Sequence, residues 1–230
     1  MNTAANNVTT ARDLLSRGAM RHELAMRLLG EIFSGQIGAG KRLQVVDLTT
    51  RFGTSSTPVR EALIELSGIG VVDFVHNRGV VVRPFGPEQL REIYQIRRIL
   101  ESEAARMACG RIDPATLTEL KETFVDLSKP RRSQEWHLAE RAADQNLHAI
   151  IAQQCGSTRL AEEIQRYDAM VQTTRDVIGY NRRNLLESVE QHLAIVEALI
   201  VGDATAAANA MAYHVDQVCQ ALEEAMLARK

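Results

Sequence analysis

Residues 83–89, RPFGPEQ, carry two prolines and a glycine and divide the chain into halves with different hydrophobic periods. Proline removes a backbone donor and fixes φ, so neither a helix nor a strand runs through such a stretch undisturbed. Ahead of it, helix-period segments alternate with β-branched runs; beyond it no strand signal appears. This pattern restricts the chain to a mainly α architecture, with a small mixed head joined to an all-α body. Residues 84–89 read as the linker between residues 20–83 and residues 90–228. Residues 1–19, MNTAANNVTTARDLLSRGA, read as a flexible arm.

In the body, apolar residues recur at helical spacing over about 88–108, 114–127, 133–154, 157–180, 184–201 and 203–228. Gly110, Pro114, Pro130, Gly156 and the pair Gly202-Asp203 punctuate these segments. Asp203 after Gly202 combines a helix stop with a strong N-cap. The body is therefore expected to be a helical bundle.

The head begins with MRHELAMRLLGEIF, where Met20, Leu24, Leu28 and Ile32 are spaced by four. The glycines of SGQIGAGKRL end that helix. A short helix near VVDLTTRF keeps Val45, Leu48 and Phe52 on one side. After the turn GTSS, a third helix, TPVREALIELSG, buries Val59, Leu63 and Leu66 and stops at Gly68 or Gly70. Two β-branched runs then flank His76-Asn77-Arg78-Gly79, the pattern of a hairpin. Helix, helix, turn, helix, hairpin is the order of a winged helix-turn-helix.

Charge follows the same division. Residues 1–83 hold 10 Lys and Arg against 7 Asp and Glu, whereas residues 84–230 hold 17 against 22. A mildly basic head on an acidic body fits a nucleic-acid module joined to a different kind of domain. Cys109, Cys155 and Cys219 are odd in number and widely spaced, which argues for reduced thiols and a cytoplasmic protein. No apolar run reaches the roughly 18 residues of a membrane span, and the N-terminus lacks the pattern of a secretory signal.

The third helix of the head offers specific chemistry. Thr57 or Ser56 is expected to cap it, with Pro58 in its first position. Hydroxyls and free N–H groups there suit phosphate, and the first turn of such a helix reaches base edges in the major groove. Arg60 on that turn could pair with guanine or grip a phosphate. GQIGAGKR at 35–42 satisfies G-x-x-x-x-G-K, but Arg42 stands where a P-loop needs Ser or Thr, and a helix precedes it. It reads as a turn.

Four polar residues interrupt apolar stripes of the body. Asp144 and His148 share a helix face with Leu147 and Ile151. His192 interrupts the stripe Leu185, Val189, Val196, Leu199, and His214 the stripe Ala207, Met211, Val218, Leu222. Buried without partners, such groups cost several kcal/mol each on the order of their lost solvation. A shared divalent metal would satisfy all four; three imidazoles and a carboxylate suit zinc first, or nickel, iron(II) or manganese. His137 lies roughly on the Asp144 face and is a fringe candidate, while His22 belongs to the head.

The stretch from LLGEIFSGQIGAGKRLQVVDL through TSSTPVREALIELSG to HNRGVVV resembles the DNA-binding domain of the GntR family of bacterial transcription regulators. The resemblance covers nearly all of residues 20–83. It implies that Ser55, Ser56, Thr57 and Arg60 contact operator DNA, with Arg78 and Gly79 at the wing tip. Many relatives carry arginine where this chain has Ser56, and some where it has Val46, so the family's common half-site is not expected here. EIYQIRRILESEAARMA, DQNLHAII and ESVEQHLAIVEALIVGDATAAANAMAYHV are similar to the FCD effector domain of the FadR-type branch. By that resemblance Asp144, His148, His192 and His214 are metal-binding positions, and their presence speaks against a fatty-acyl sensor.

The leading reading is a homodimeric, ligand-responsive regulator, expected to be a repressor, that binds an inverted-repeat operator in double-stranded DNA. A small carboxylate effector would meet the metal, with Arg97 or Arg98 and Arg175 as anion clamps. The rival is a metal-dependent enzyme with a helical catalytic domain. It lacks HExxH and paired ExxH motifs, and Glu190, an acid close in sequence to a proposed ligand, lies on another face from His192.

Overall fold

Two glycine-rich breaks and one hairpin suffice to build the head. In the computed structural model, which describes residues 11–68, 70–129, 133–178 and 182–228, helix α1 spans Ala11–Phe33. It thus starts inside the segment read as an arm; residues 1–10 lie outside the described residues. Strand β1 is only Arg42–Leu43, followed by α2 (Val45–Phe52) and α3 (Ser56–Gly68). Strands β2 (Val72–Val75) and β3 (Gly79–Val82) form the hairpin, and the sheet order is β1-β3-β2, all antiparallel. Strand β1 replaces part of the turn expected there: two residues carry no period, and only Leu43 buries its side chain. Asn77, at φ 61°, and Gly79, at φ 73°, make the left-handed turn of the wing. Arg78 N donates to Val75 O at 3.0 Å across it.

The core of this unit joins Leu24, Leu28, Leu29 and Ile32 of α1 to Leu48, Val59, Leu63 and Leu66, and the sheet adds Leu43, Val72, Val80 and Val82. Helix α3 begins at Ser56, one residue earlier than a Ser56 cap requires. Pro58 is therefore third in the helix, still in the first turn, where N–H groups have no intrahelical acceptor. Glu65 of α3 pairs with Arg21 and His22 of α1, each at 3.2 Å, and fixes one flank of α3.

The chain separates into two compact units, residues 1–84 and 85–230. Among the described residues the second is wholly helical: α4 (Pro87–Ala108), α5 (Pro114–Leu127), α6 (Gln134–Gln154), α7 (Thr158–Ile178), α8 (Arg182–Val201) and α9 (Ala204–Leu227). Side-chain caps start four of them. Asp113 accepts from Ala115 N and Thr116 N, Ser133 from Trp136 N, Ser157 from Leu160 N, and Asp203 from Thr205 N and Ala206 N. Gly202, at φ 80°, ends α8 directly before that last cap. Helix α4 packs along α9 and also meets α6 and α7, while α8 lies against α5 and α9. Phe124, Leu147, Ile151, Ile195, Met211 and Leu222 fill the shared core. No helix among the described residues is long and apolar enough to cross a membrane.

Candidate metal centre and nucleic-acid interface

The i, i+4 spacing on α6 sets Asp144 and His148 one turn apart, and α8 and α9 bring one imidazole each. All four residues are buried, His192 and His214 completely. One ligand atom from each lies within 4.8 Å of every other. His192 Nε2 is 3.2 Å from His214 Nε2 and 3.2 Å from Asp144 Oδ1, and His148 Nε2 is 3.8 Å from Asp144 Oδ1. Metal–ligand bonds of about 2.1 Å set ligand atoms about 3.4 Å apart at tetrahedral angles and about 4.2 Å apart when opposite, so the widest pair must close by about an ångström.

Hydrogen bonding on the far side of two rings aims their Nε2 lone pairs inward. His148 Nδ1 donates to Glu101 Oε2 at 2.6 Å, and His214 Nδ1 donates to Gln191 Oε1 at 3.0 Å. Both acceptors hold the proton on Nδ1, a common arrangement behind metal-bound histidine. His148 Nε2 and Asp144 Oδ1 make no hydrogen bond although both are buried. Orphans of this kind are rare and costly, and a cation between them removes the cost. The donor set and its orphaned atoms fit a divalent metal.

The electrostatics also fit. Burial lowers the His192 pKa and outweighs the opposing pull of Asp144, with His148 and Arg175 adding to the lowering, so it lies below the ordinary histidine value; burial and the other imidazoles hold His214 well below it. Both are thereby neutral, as ligation requires. Burial opposes a charge on Asp144, yet Arg175 and the imidazoles keep it well below the usual carboxylate range. Arg175 Nη1 donates to Asp144 Oδ2 at 2.7 Å, leaving Oδ1 to face the histidines. Burial likewise opposes ionisation of Glu101, but Arg97 and His148 lower it to about 2.

Of the arginines considered as clamps, Arg97 is buried, pairs through Nε with Glu101 Oε1 at 2.8 Å, and leaves Nη1 without a partner. It lies over the Tyr94 ring at 4.7 Å, and the buried Tyr94 hydroxyl also has none. Arg98 is placed differently: it is exposed and pairs with Asp216 at 2.9 Å, so the fold does not bring it to the cluster. His137 bonds to Ser133 O, on the exposed side of α6, and is not among the converging residues.

Sequence reasoning passed over Glu101, Gln191 and Asp168. Glu101 had a signal, since it follows Arg97 by four on the buried face that carries Tyr94, Ala104 and Ala108. Gln191 had none beyond adjacency to His192. Burial and the charge of Glu101 push Asp168 up to about 6.

In the first unit, Ser55, Ser56, Thr57 and Arg60 are all exposed at the start of α3, and Arg78 and Gly79 are exposed at the wing turn. Arg42 of β1 lies so close to Gly79 that an added Cβ there would sit 3.5 Å from its Nε.

Comparison with known proteins agrees with this division. Residues 21–82 match bacterial regulatory proteins of the gntR family, and residues 92–217 match the FCD domain. The probable D-xylose utilization operon transcriptional repressor of Paenarthrobacter nicotinovorans is 25% identical over 203 residues, covering 87% of this chain and 88% of that protein. The transcriptional repressor RspR of Escherichia coli is 25% identical over 193 residues, covering 82% of each chain. The structure of E. coli McbR/YncC shares the fold with a TM-score of 0.64 at 23% identity, covering 92% of this chain and 96% of that one. The chain belongs to the GntR family, its second unit being an FCD domain, and it is a DNA-binding transcriptional regulator rather than an enzyme.

Proposed function

We infer that this regulator is a cytoplasmic homodimer, acting as a repressor, whose helical unit holds a divalent metal and senses a small organic acid. The observation that carries the reading is the convergence of Asp144, His148, His192 and His214 on one buried point. Three neutral imidazoles and a carboxylate would hold the ion, with zinc first in order of fit, then nickel, iron(II) and manganese. When bound, the metal supplies positive charge and coordination positions open to a ligand oxygen. Arg175 and Arg97 add two cationic side chains in or beside the cluster, which favours a carboxylate such as a sugar acid or hydroxy acid.

In the first unit, Ser55, Ser56, Thr57 and Arg60 would meet the major groove, with Arg78 and Gly79 at the adjacent minor groove. Two such heads in a two-fold dimer match an inverted repeat. An acid that binds one arrangement of the heads better than another shifts operator affinity by that difference in affinity.

The test is a screen of organic acids for thermal stabilisation of metal-loaded and metal-stripped protein, repeated as an operator-binding assay. Stabilisation that needs metal and changes DNA affinity is expected. Stabilisation indifferent to stripping would overturn the metal-coordinated effector site, and stabilisation without an effect on DNA would overturn the sensing role.

A further inference from the structure

Helix α3 turns five core-facing residues inward: Pro58, Val59, Ala62, Leu63 and Leu66. At 100° per residue, Thr57, Arg60 and Ile64 fall within about 60° of one another on the opposite side. Ile64 is 60% exposed and stands between the directions of Thr57 and Arg60. The flank of α3 is tied to α1 through Glu65, so this outward face is fixed relative to the rest of the unit. An isoleucine at the centre of a polar, DNA-facing surface needs a reason.

Its side chain can neither donate nor accept, so it gains nothing from the N7, O6, O4, N4 or N6 groups that line the major groove. Placed against those edges alone, it would strip water from them without replacement. The apolar feature of a base edge in that groove is the 5-methyl group of thymine. We propose that Ile64 is a specificity residue that packs on a thymine methyl in each operator half-site. The inference rests on α3 being the recognition helix. One helical turn separates Ile64 from Arg60, about 6 Å along the axis. The thymine therefore lies about two base pairs from the position that Arg60 meets, at about 3.4 Å per base pair.

Uracil in place of thymine removes the methyl and leaves the hydrogen-bonding edge intact, which makes it the direct probe. An operator is first recovered by selection from random duplexes with the full-length wild-type chain. Each thymine is then replaced singly by uracil, and affinity is measured for wild type, Ile64→Ala, Ile64→Val, Val46→Ala and Arg60→Ala. One uracil position should cost the wild type about fourfold, the worth of one buried methyl. The same position should cost Ile64→Ala nothing, and Ile64→Val should retain part of the effect.

Equal sensitivity in wild type and Ile64→Ala would overturn the proposal. So would coupling of that position to Val46, another exposed branched residue of the unit, at 73% exposure. A flat uracil scan with a strong Arg60→Ala defect would overturn the methyl contact and leave α3 as the recognition helix. Full operator affinity in Arg60→Ala would remove the recognition-helix reading itself, and the Ile64 contact with it.

Discussion

Asp144 divides its carboxylate between two tasks, one oxygen to Arg175 and the other toward three imidazoles, so single substitutions in the cluster have separable outcomes. Protein purified without chelator is expected to carry about one equivalent of divalent metal per chain, and His192→Ala with His214→Ala to carry none by elemental analysis. Unchanged metal content in the double variant would remove the site. Protons compete for the same nitrogens. Burial lowers His148, but Glu101 and Asp144 outweigh it and raise its pKa above the ordinary 6.5. Metal must displace that proton, so affinity should fall as pH is lowered, beginning above about 6.5, while His192 and His214 resist protonation to lower pH. A chelator competition across roughly pH 5 to 8 reads this directly, and a flat response would contradict it. In the other unit, Arg60→Ala should weaken specific DNA binding by about 1–3 kcal/mol if the side chain reads a base, and reduce the salt slope if it meets a phosphate. The candidate ligands could be picked from the sequence because a polar residue in an apolar stripe departs from the helical period. Glu101 and Gln191 could not be assigned their parts, since these depend on which helix faces which, and no periodicity encodes that.

Helix ends were the most legible elements. Asp203 stands at the junction of α8 and α9, between the helices that carry His192 and His214, and caps two N–H groups at 3.0 and 2.9 Å. Asp203→Ala is expected to lower unfolding stability by about 1 kcal/mol, measured in denaturant, with no change in metal stoichiometry. A loss of metal with that substitution would mean that the cap positions the ligands rather than only the helix. Such caps, like the glycine stops, act within a few residues and so leave a local trace in the sequence. Strand β1 left none, because its two residues owe their conformation to pairing with Val80 and Val81, far along the chain. The start of α1 is also hidden, because the regular apolar spacing begins at Met20 whereas the helix extends N-terminally beyond it.

At the scale of the whole molecule, one recognition helix meets only a half-site, so a two-fold assembly is expected. Ile96 and Ile99 are exposed on α4, while Ile93 and Leu100 pack partly into the core. Light scattering at micromolar concentration should give twice the mass of the chain, and a monomer with full operator affinity would exclude the dimer. Replacing Ile96 and Ile99 with lysine should shift that mass toward the monomer if this face forms the interface. The double hold on Asp144 has a further consequence at this scale. An acid that draws Arg175 to its own carboxylate takes a cation away from Asp144, whose charge then acts more fully on the metal. Acid and ion would in that case strengthen one another, and thermodynamic reciprocity makes the gain equal in both directions. Cells with little free metal would respond less to the acid, so the regulator would report the coincidence of two solutes rather than the level of one.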